Sequence, residues 1–272
     1  MSVHSFGDVA REVVRAEGAE RLRMDGLGLA SHFQPIYSVS RGACEGFEAL
    51  LRAQSADGQP LRARALFRSL ERPARTRLDW LCRALHLRSF AVVDPGNRKL
   101  FLNADPAALC DDHEDGRSFA ELVRYYGLSP ERVVIEVLEG DSANEGRLAE
   151  AVAAHRALGF NIAMDHFGQG HSNFDRVAAL RPRIVKTDRA TLTQALGETQ
   201  ARRMMPALVD LIADTGAHVA IKGIDSASDA LAAIEAGARY IQGFHLGAPS
   251  REPRDEALAT QLIESARHLA AA

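Results

Sequence analysis

Short apolar runs rich in β-branched and aromatic residues recur along the chain, and longer stretches of helical period separate them. Eight runs read as strands: His32–Val39, Cys44–Ala53, Lys99–Ala104, Val133–Glu139, Asn161–Phe167, Ile184–Asp188, His218–Ile224 and Tyr240–Leu246. The stretch Ala63–Phe90 has room for two helices, with Pro73 as a start or a break. Phe119–Tyr126 stops before Gly127, Glu145–Leu158 before Gly159, and Leu196–Thr215 before Gly216. Glycine there accepts the left-handed turn that ends a helix. Ser226 caps a helix that runs to Ala236, and a last helix spans Glu256–Leu269.

Eight strands alternating with helices predict an α/β fold of the (β/α)8 TIM-like barrel type. Only Ser40–Gly42 separates the first two runs. A parallel crossover needs about ten or more residues, so the barrel is a modified one with an irregular first hairpin. A doubly wound open sheet is the alternative. Residues 1–25 read as an N-terminal helical appendage and residues 26–272 as one domain. In the appendage Phe6, Val9, Val13 and Val14 make an apolar stripe, suited to packing on the barrel itself or on a partner.

Composition narrows the function. The 272 residues are 46% hydrophobic and 25% charged, as in an ordinary globular protein. With 33 Lys and Arg against 36 Asp and Glu the net charge is −3, so no direct DNA binding is expected. Arg62, Arg64, Arg68, Arg72, Arg75 and Arg77 form a local basic stretch, read as a solvated helix face or as a surface for an acidic partner or nucleic acid. Cys44, Cys82 and Cys110 show no Cys-x-x-Cys spacing. They read as three thiols in a reducing compartment. No run of about 18 apolar residues occurs, so no membrane span and a cytoplasmic location are expected.

The strand ends carry the candidate chemistry, because (β/α)8 barrels gather functional residues at the C-terminal ends of their strands. The second run carries Glu48, the third Asn103, the fourth Glu136 and Glu139, and the fifth Asp165 and His166. The sixth carries Lys186 and Asp188, the seventh Lys222 and Asp225, and the eighth Gln242. Carboxylates crowded into one pocket repel one another unless a cation intervenes. Glu48, Asn103, Glu136 and Asp165 offer hard oxygens suited to Mg2+, Mn2+ or Ca2+. Lys186 is placed to hold an anion or position a water. A hard-metal phosphate site is the expectation from these residues alone.

Six ordered motifs then resemble one family. Phe33-Gln34-Pro35-Ile36 is similar to the opening strand of the EAL domain family, and Glu48-Ala49-Leu50-Leu51-Arg52 to its name-giving motif. Tyr126–Arg132 with Val134-Ile135-Glu136-Val137-Leu138-Glu139 resembles its fourth strand. Asp165–Ser172 resembles its Asp-Asp-Phe-Gly loop, Lys186-Thr187-Asp188 its Lys-Ile-Asp, and Gln242-Gly243-Phe244 its Gln-Gly-Tyr. The resemblance implies a barrel that recognises the bacterial second messenger cyclic di-GMP. Active members are phosphodiesterases that open it to linear pGpG with two Mg2+ or Mn2+ ions. It implies Glu48, Asn103, Glu136 and Asp165 as ligands of the first metal, Lys186 and Gln242 beside the attacking water, and Glu139 and Asp188 as supporting acids. Gln34, Leu50 and Arg52 correspond to ligand contacts, with Arg52 on a phosphate oxygen.

Two stretches depart from that pattern, at three acid positions. Active relatives carry a second Asp where His166 stands, and Ala-Glu-Gly-Val-Glu where this chain reads Ile221-Lys222-Gly223-Ile224-Asp225. The resemblance assigns the replaced acids to the second metal, so one divalent ion at most is expected. Three functions follow as alternatives. One is a degenerate signalling module that binds cyclic di-GMP with weak or no hydrolysis. Another is an active phosphodiesterase with unusual metal handling. The last is a regulator that works through a protein partner without the nucleotide. A homodimer is left open.

Overall fold

The computed structural model describes residues 22–24, 26–94, 96–111, 116–138, 145–168, 173–188, 193, 197–252 and 257–270. Of the expected helical appendage, residues 1–25, those up to 21, with the apolar stripe, and residue 25 lie outside the described residues, as does Glu139, whereas Leu22–Met24 form a strand paired with the barrel and not helix. The strands are β1 (Leu22–Met24), β2 (Leu27–Ser38), β3 (Ala43–Gln54), β4 (Pro60–Leu61), β5 (Lys99–Ala104), β6 (Val133–Val137), β7 (Asn161–Phe167), β8 (Ile184–Asp188), β9 (His218–Lys222) and β10 (Tyr240–Ile241). The helices are α1 (Ala63–Ser69), α2 (Arg72–Val93), α3 (Pro106–Cys110), α4 (Arg117–Tyr125), α5 (Glu145–Ala157), α6 (Phe174–Leu180), α7 (Glu198–Ala213), α8 (Ala227–Glu235) and α9 (Ala257–Ala270).

Eight strands close a barrel. From β3 the order runs β5, β6, β7, β8, β9 and β10 with every neighbour parallel. β2 closes the ring and is antiparallel to both β3 and β10. The short connection, residues 39–42, thus makes the hairpin that its length requires. Pro35 sits inside β2 without breaking it. On that edge β10 pairs with Tyr37 and Ser38, and Ser250 bridges Phe33, so the missing N–H falls between the two pairings. β1 and β4 extend the rim by pairing with β2 and β3.

β5, β7 and β8 coincide with their expected runs, whereas β6, β9 and β10 stop before Glu139, Ile224 and Leu246. The chain leaves the ladder where the segments after β9 and β10 grip each other. Ile224 donates to the Gln242 carbonyl and accepts from the His245 N–H, at 3.2 and 3.0 Å. A Cβ on Gly243 would stand 2.1 Å from the Ile224 oxygen, so only glycine fits there. Two short helices were not expected, α3 and α6. Asp105 and Asn173 cap them through side-chain oxygens, a signal present in the sequence.

The helices pack their apolar faces on the outside of the barrel in two clusters, one centred on α2 and α4 and one on α7 and α8. A third cluster, Ile36, Phe101, Val134, Ala163, Ile184, Ala220 and Tyr240, fills the barrel interior. α1 buries no residue, and Arg72 and Arg75 pair with Asp111 and Asp105, so the basic stretch is a solvated, partly ion-paired surface. Cys82 is buried and Cys44 and Cys110 half-buried, all as free thiols. No helix among the described residues is long and apolar enough to cross a membrane.

Within α2, His86 is buried and hydrogen-bonds Ser31 Oγ on β2 at 2.7 Å. Burial pushes its pKa down to about 4 from 6.5. The unfolded chain therefore binds a proton that the native state refuses, and stability rises with pH across this window. The contribution is complete above pH 6.5 and falls away as the pH drops towards 4. We expect urea unfolding at pH 5 to show a loss of about 2 kcal/mol from this group relative to pH 7.5. His86→Gln should flatten that part of the profile.

Candidate functional site

In a strand, residues two apart share a face. Each member of the interior apolar cluster therefore has an inward neighbour two residues nearer the C-terminal mouth. These neighbours are Asn103 above Phe101, Glu136 above Val134, Asp165 above Ala163, Lys186 above Ile184, Lys222 above Ala220 and Gln242 above Tyr240. On antiparallel β2 the same step runs backwards, from Ile36 to Gln34. β3 contributes Glu48 opposite Gln34. Beneath it Gly46 leaves room for the neighbouring strand, since a Cβ there would lie 2.2 Å from the Lys99 oxygen. An apolar layer is thus capped by a polar one.

Glu48, Glu136 and Asp165 each offer a carboxylate oxygen within 4.8 Å of the others, and all three are buried. Lys186 lies between two of them, donating to Glu48 Oε2 at 2.7 Å and to Glu136 Oε1 at 2.6 Å. Its side chain is fully buried. Burial alone would lower the Lys186 pKa, but Glu136, Glu48 and Asp165 outweigh it and hold the group well above the ordinary lysine range. Glu136 moves up, through burial and through repulsion from Glu48. Glu48 moves down, because Lys186 and Lys222 overcome its own burial. Gln242 Nε2 donates to Glu48 Oε2 at 2.9 Å and to Gln34 Oε1 at 3.3 Å, while Asn103 Nδ2 donates to Glu48 Oε1 at 3.2 Å.

Lys222 closes the other side. Its ammonium donates to Asp165 Oδ1 at 2.6 Å. Asp165 is held well below the usual carboxylate range, its burial overridden by Lys186, Lys222 and His166. The ladder slips between Met164 and Phe167, and His166 there takes φ +54°. Such an irregularity re-aims side chains. It brings His166 Nε2 to 3.5 Å from Asp165 Oδ2 on the same strand. Burial and the neighbouring Lys222 lower the His166 pKa, Asp165 opposing them.

The remaining sequence candidates stand on the rim. Gln34 donates to the Gly247 carbonyl at 3.2 Å, tying β2 to the strap after β10. Leu50 is half-buried and Arg52 exposed, its guanidinium donating to Leu51 O at 3.3 Å. Asp188 ends β8 beside Lys222 in the register. Asp225 is exposed beyond β9, with its backbone N–H on Asp229 Oδ2 at 3.2 Å, and it does not join the buried carboxylate cluster. His32 was not singled out from the sequence. It lies two residues above Gln34 on the same face, 3.4 Å from Pro249 O, and the period of β2 was the signal for it.

Three carboxyl groups face two ammoniums in this layer, and Glu136, its pKa pushed up to about 8, is the acid that holds a proton most readily. Glu136 Oε2 is buried without a hydrogen-bond partner. Such a donor set, with Asn103 beside it, fits one hard divalent cation. Around His166 and Lys222 the set does not fit a second, because the Lys222 ammonium already occupies Asp165 Oδ1. Removing one partner from a buried charge cluster strands the others. Lys186→Met should cost about 3–5 kcal/mol in urea unfolding at pH 8. The deficit should shrink as the pH falls, because the stranded carboxylates then take up protons.

Comparisons with known proteins agree with this geometry. The EAL domain family model matches residues 20–249. The uncharacterized EAL-domain containing protein YkuI of Bacillus subtilis is 27% identical over 243 residues, covering 87% of this chain and 59% of YkuI. The probable cyclic di-GMP phosphodiesterase PdeA of Escherichia coli is 24% identical over 234 residues, covering 84% of this chain and 31% of PdeA. This chain therefore spans between about a third and three fifths of these curated relatives. The crystal structure of YkuI with its substrate c-di-GMP and calcium superposes with TM-score 0.76 at 22% identity, over 99% of this chain and 64% of that one. Klebsiella pneumoniae BlrP1 with manganese and the same dinucleotide gives 0.71 at 22% identity, over 85% and 58%. At these identities the structures establish the shared fold.

Proposed function

The chain belongs to the EAL domain family, and from that premise we propose that it binds cyclic di-GMP at the C-terminal mouth of its barrel and hydrolyses it weakly or not at all. The observation that carries this reading is the 2.6 Å ion pair between Lys222 and Asp165. On the family pattern an acid stands at residue 222 and a divalent ion beside it. An ammonium and a divalent cation about 4 Å apart repel by about 8 kcal/mol at an effective dielectric constant of 20. Lys222 takes the berth of the second ion and supplies positive charge for a phosphate, without the Lewis acidity that turns bound water into a nucleophile.

The other residues serve binding. Arg52 on the rim meets a phosphate oxygen, and Gln34 and Leu50 line the approach. Glu48, Glu136, Asp165 and the Asn103 amide would hold one Mg2+ or Mn2+, which supplies charge to polarise a phosphoryl oxygen when bound. Lys186 is clamped as an ammonium between two carboxylates, so it orients and neutralises but does not take a proton from water. Asp188 stands at the mouth as a supporting acid, the role that the family pattern also gives Glu139. Calcium and c-di-GMP in the YkuI crystal and manganese in BlrP1 support the pairing of nucleotide and divalent ion in this family. The segment up to residue 25 and the barrel surface are the proposed routes to a protein partner or a second copy, in the cytoplasm.

The clustered carboxyl oxygens of Glu48, Glu136 and Asp165 favour one bound ion, and residual phosphodiesterase activity is the second reading. Calorimetry with cyclic di-GMP, with and without Mn2+, should give saturable binding. Chromatography of the same mixture should show little or no pGpG. The double variant His166→Asp with Lys222→Glu should then raise turnover by at least about tenfold, some 1.4 kcal/mol of barrier. Brisk ring opening by the unaltered chain overturns the reading. Absence of nucleotide binding overturns it in favour of a regulator that acts through protein contacts.

A further inference from the structure

The opposite mouth of the barrel carries a second polar set that the nucleotide site does not use. Three adjacent strands begin there on basic residues. Arg183 precedes β8, His218 opens β9 and Arg239 precedes β10. The backbone locks them side by side, with His218 N–H on Arg183 O and Arg239 N–H on Val219 O, each at 2.9 Å. The His218 ring packs on Tyr240 with centroids 6.3 Å apart. Across the lumen, Lys99 opens β5.

One acid lies among them, and a backbone irregularity puts it there. Ile36 pairs with Gly46 and Tyr37 with Cys44, so Glu45 is the extra residue of a β-bulge. Its buried carboxylate is already engaged by Lys99 at 3.2 Å and Arg41 at 3.0 Å. Arg183 and Arg239 have no carboxylate in salt-bridge range among the described residues, and Arg239 Nε is buried without a hydrogen-bond partner. His218 registers the excess of positive charge. Its pKa is lowered by burial and then by Arg239, Arg183 and Lys99.

Helix carbonyl ends often draw cations to this face of an α/β barrel, but here those ends are already served. Arg156 donates to the Leu180 and Arg181 carbonyls after α6. Backbone N–H groups of Ala236, Gly237 and Ala238 take the Ala232, Ile234 and Ala233 carbonyls at the end of α8. Two guanidiniums flanking an imidazole match the planar, multidentate geometry that phosphate oxygens prefer. We propose that this N-terminal mouth is a binding site for a small phosphate-bearing anion, gripped by Arg183 and Arg239 with His218 and Lys99 behind them.

The site is separated from the nucleotide mouth by the apolar layer of the barrel, so it is tested on its own. The full chain is titrated with sodium pyrophosphate at low salt while the His218 ring protons, assigned by their loss in His218→Gln, are followed by NMR. A saturable shift is expected, with its midpoint weakened at least about tenfold, or 1.4 kcal/mol, in Arg183→Gln. The Arg183 side chain is exposed, so this variant should keep the wild-type circular dichroism. Arg239→Gln should weaken the midpoint likewise. An unmoved His218 signal overturns the proposal, as does a midpoint unchanged in Arg183→Gln. An equal shift with sodium acetate at matched ionic strength also overturns it, because the site would then read charge and not phosphate.

Discussion

Everything at the upper mouth rests on keeping three carboxylates within 4.8 Å of one another in the barrel interior. At that spacing they cannot all be ionised without positive charge among them. The chain supplies it covalently, through Lys186 between Glu48 and Glu136 and through Lys222 on Asp165. The consequences spread outward. Gln242 and Asn103 are fixed by their bonds to Glu48, Gln34 is fixed by Gln242 and Gly247, and the strap after β10 is thereby tied to β2. The pocket is organised before any ligand arrives.

Closure of the barrel makes this packing affordable. Ile36, Phe101, Val134, Ala163, Ile184, Ala220 and Tyr240 form an apolar floor directly below the charges. That floor keeps the polar layer in contact with solvent from one side only, which strengthens each ion pair and raises the penalty for leaving a charge unpaired. It also divides the lumen, with the bulged Glu45 and its cations below and Glu48 and its lysines above.

Much of this was legible in the residues because strand period and closure leave little choice. Phe101 and Asn103, Val134 and Glu136, or Ile184 and Lys186 are spaced by two, and the chain announces in each strand an apolar body followed by a polar end. The short connection between the first two runs likewise fixed their antiparallel sense. What the sequence did not reveal depends on local departures from period. The slip at Asp165–His166, with His166 at positive φ, is the backbone irregularity that lets both side chains, named together from the sequence, reach one site although alternation would separate them. The bulge at Glu45 turns a residue into the lower lumen that a regular hairpin would place on the other face. Asp225, matched by the resemblance to a second-metal position, is exposed beyond the turn at Gly223, whose φ is +76°.

A tethered ammonium and a bound metal ion are alike in charge sign and unlike in chemistry. The ammonium donates hydrogen bonds, carries one charge and keeps no exchangeable water in an inner coordination sphere. It also arrives with the fold, so the pocket carries that charge at any metal concentration. On the proposed reading, the exchange of an acid for Lys222 therefore shifts the site from turnover towards recognition. It removes one source of nucleophilic water and makes the attraction for a phosphate independent of a second ion. The Lys186 clamp bears on the same balance, since a lysine held charged by two carboxylates cannot supply the missing base. On the proposed reading, two cations that stabilise the same three acids equip the pocket to hold a dianion and withhold the means to cut it.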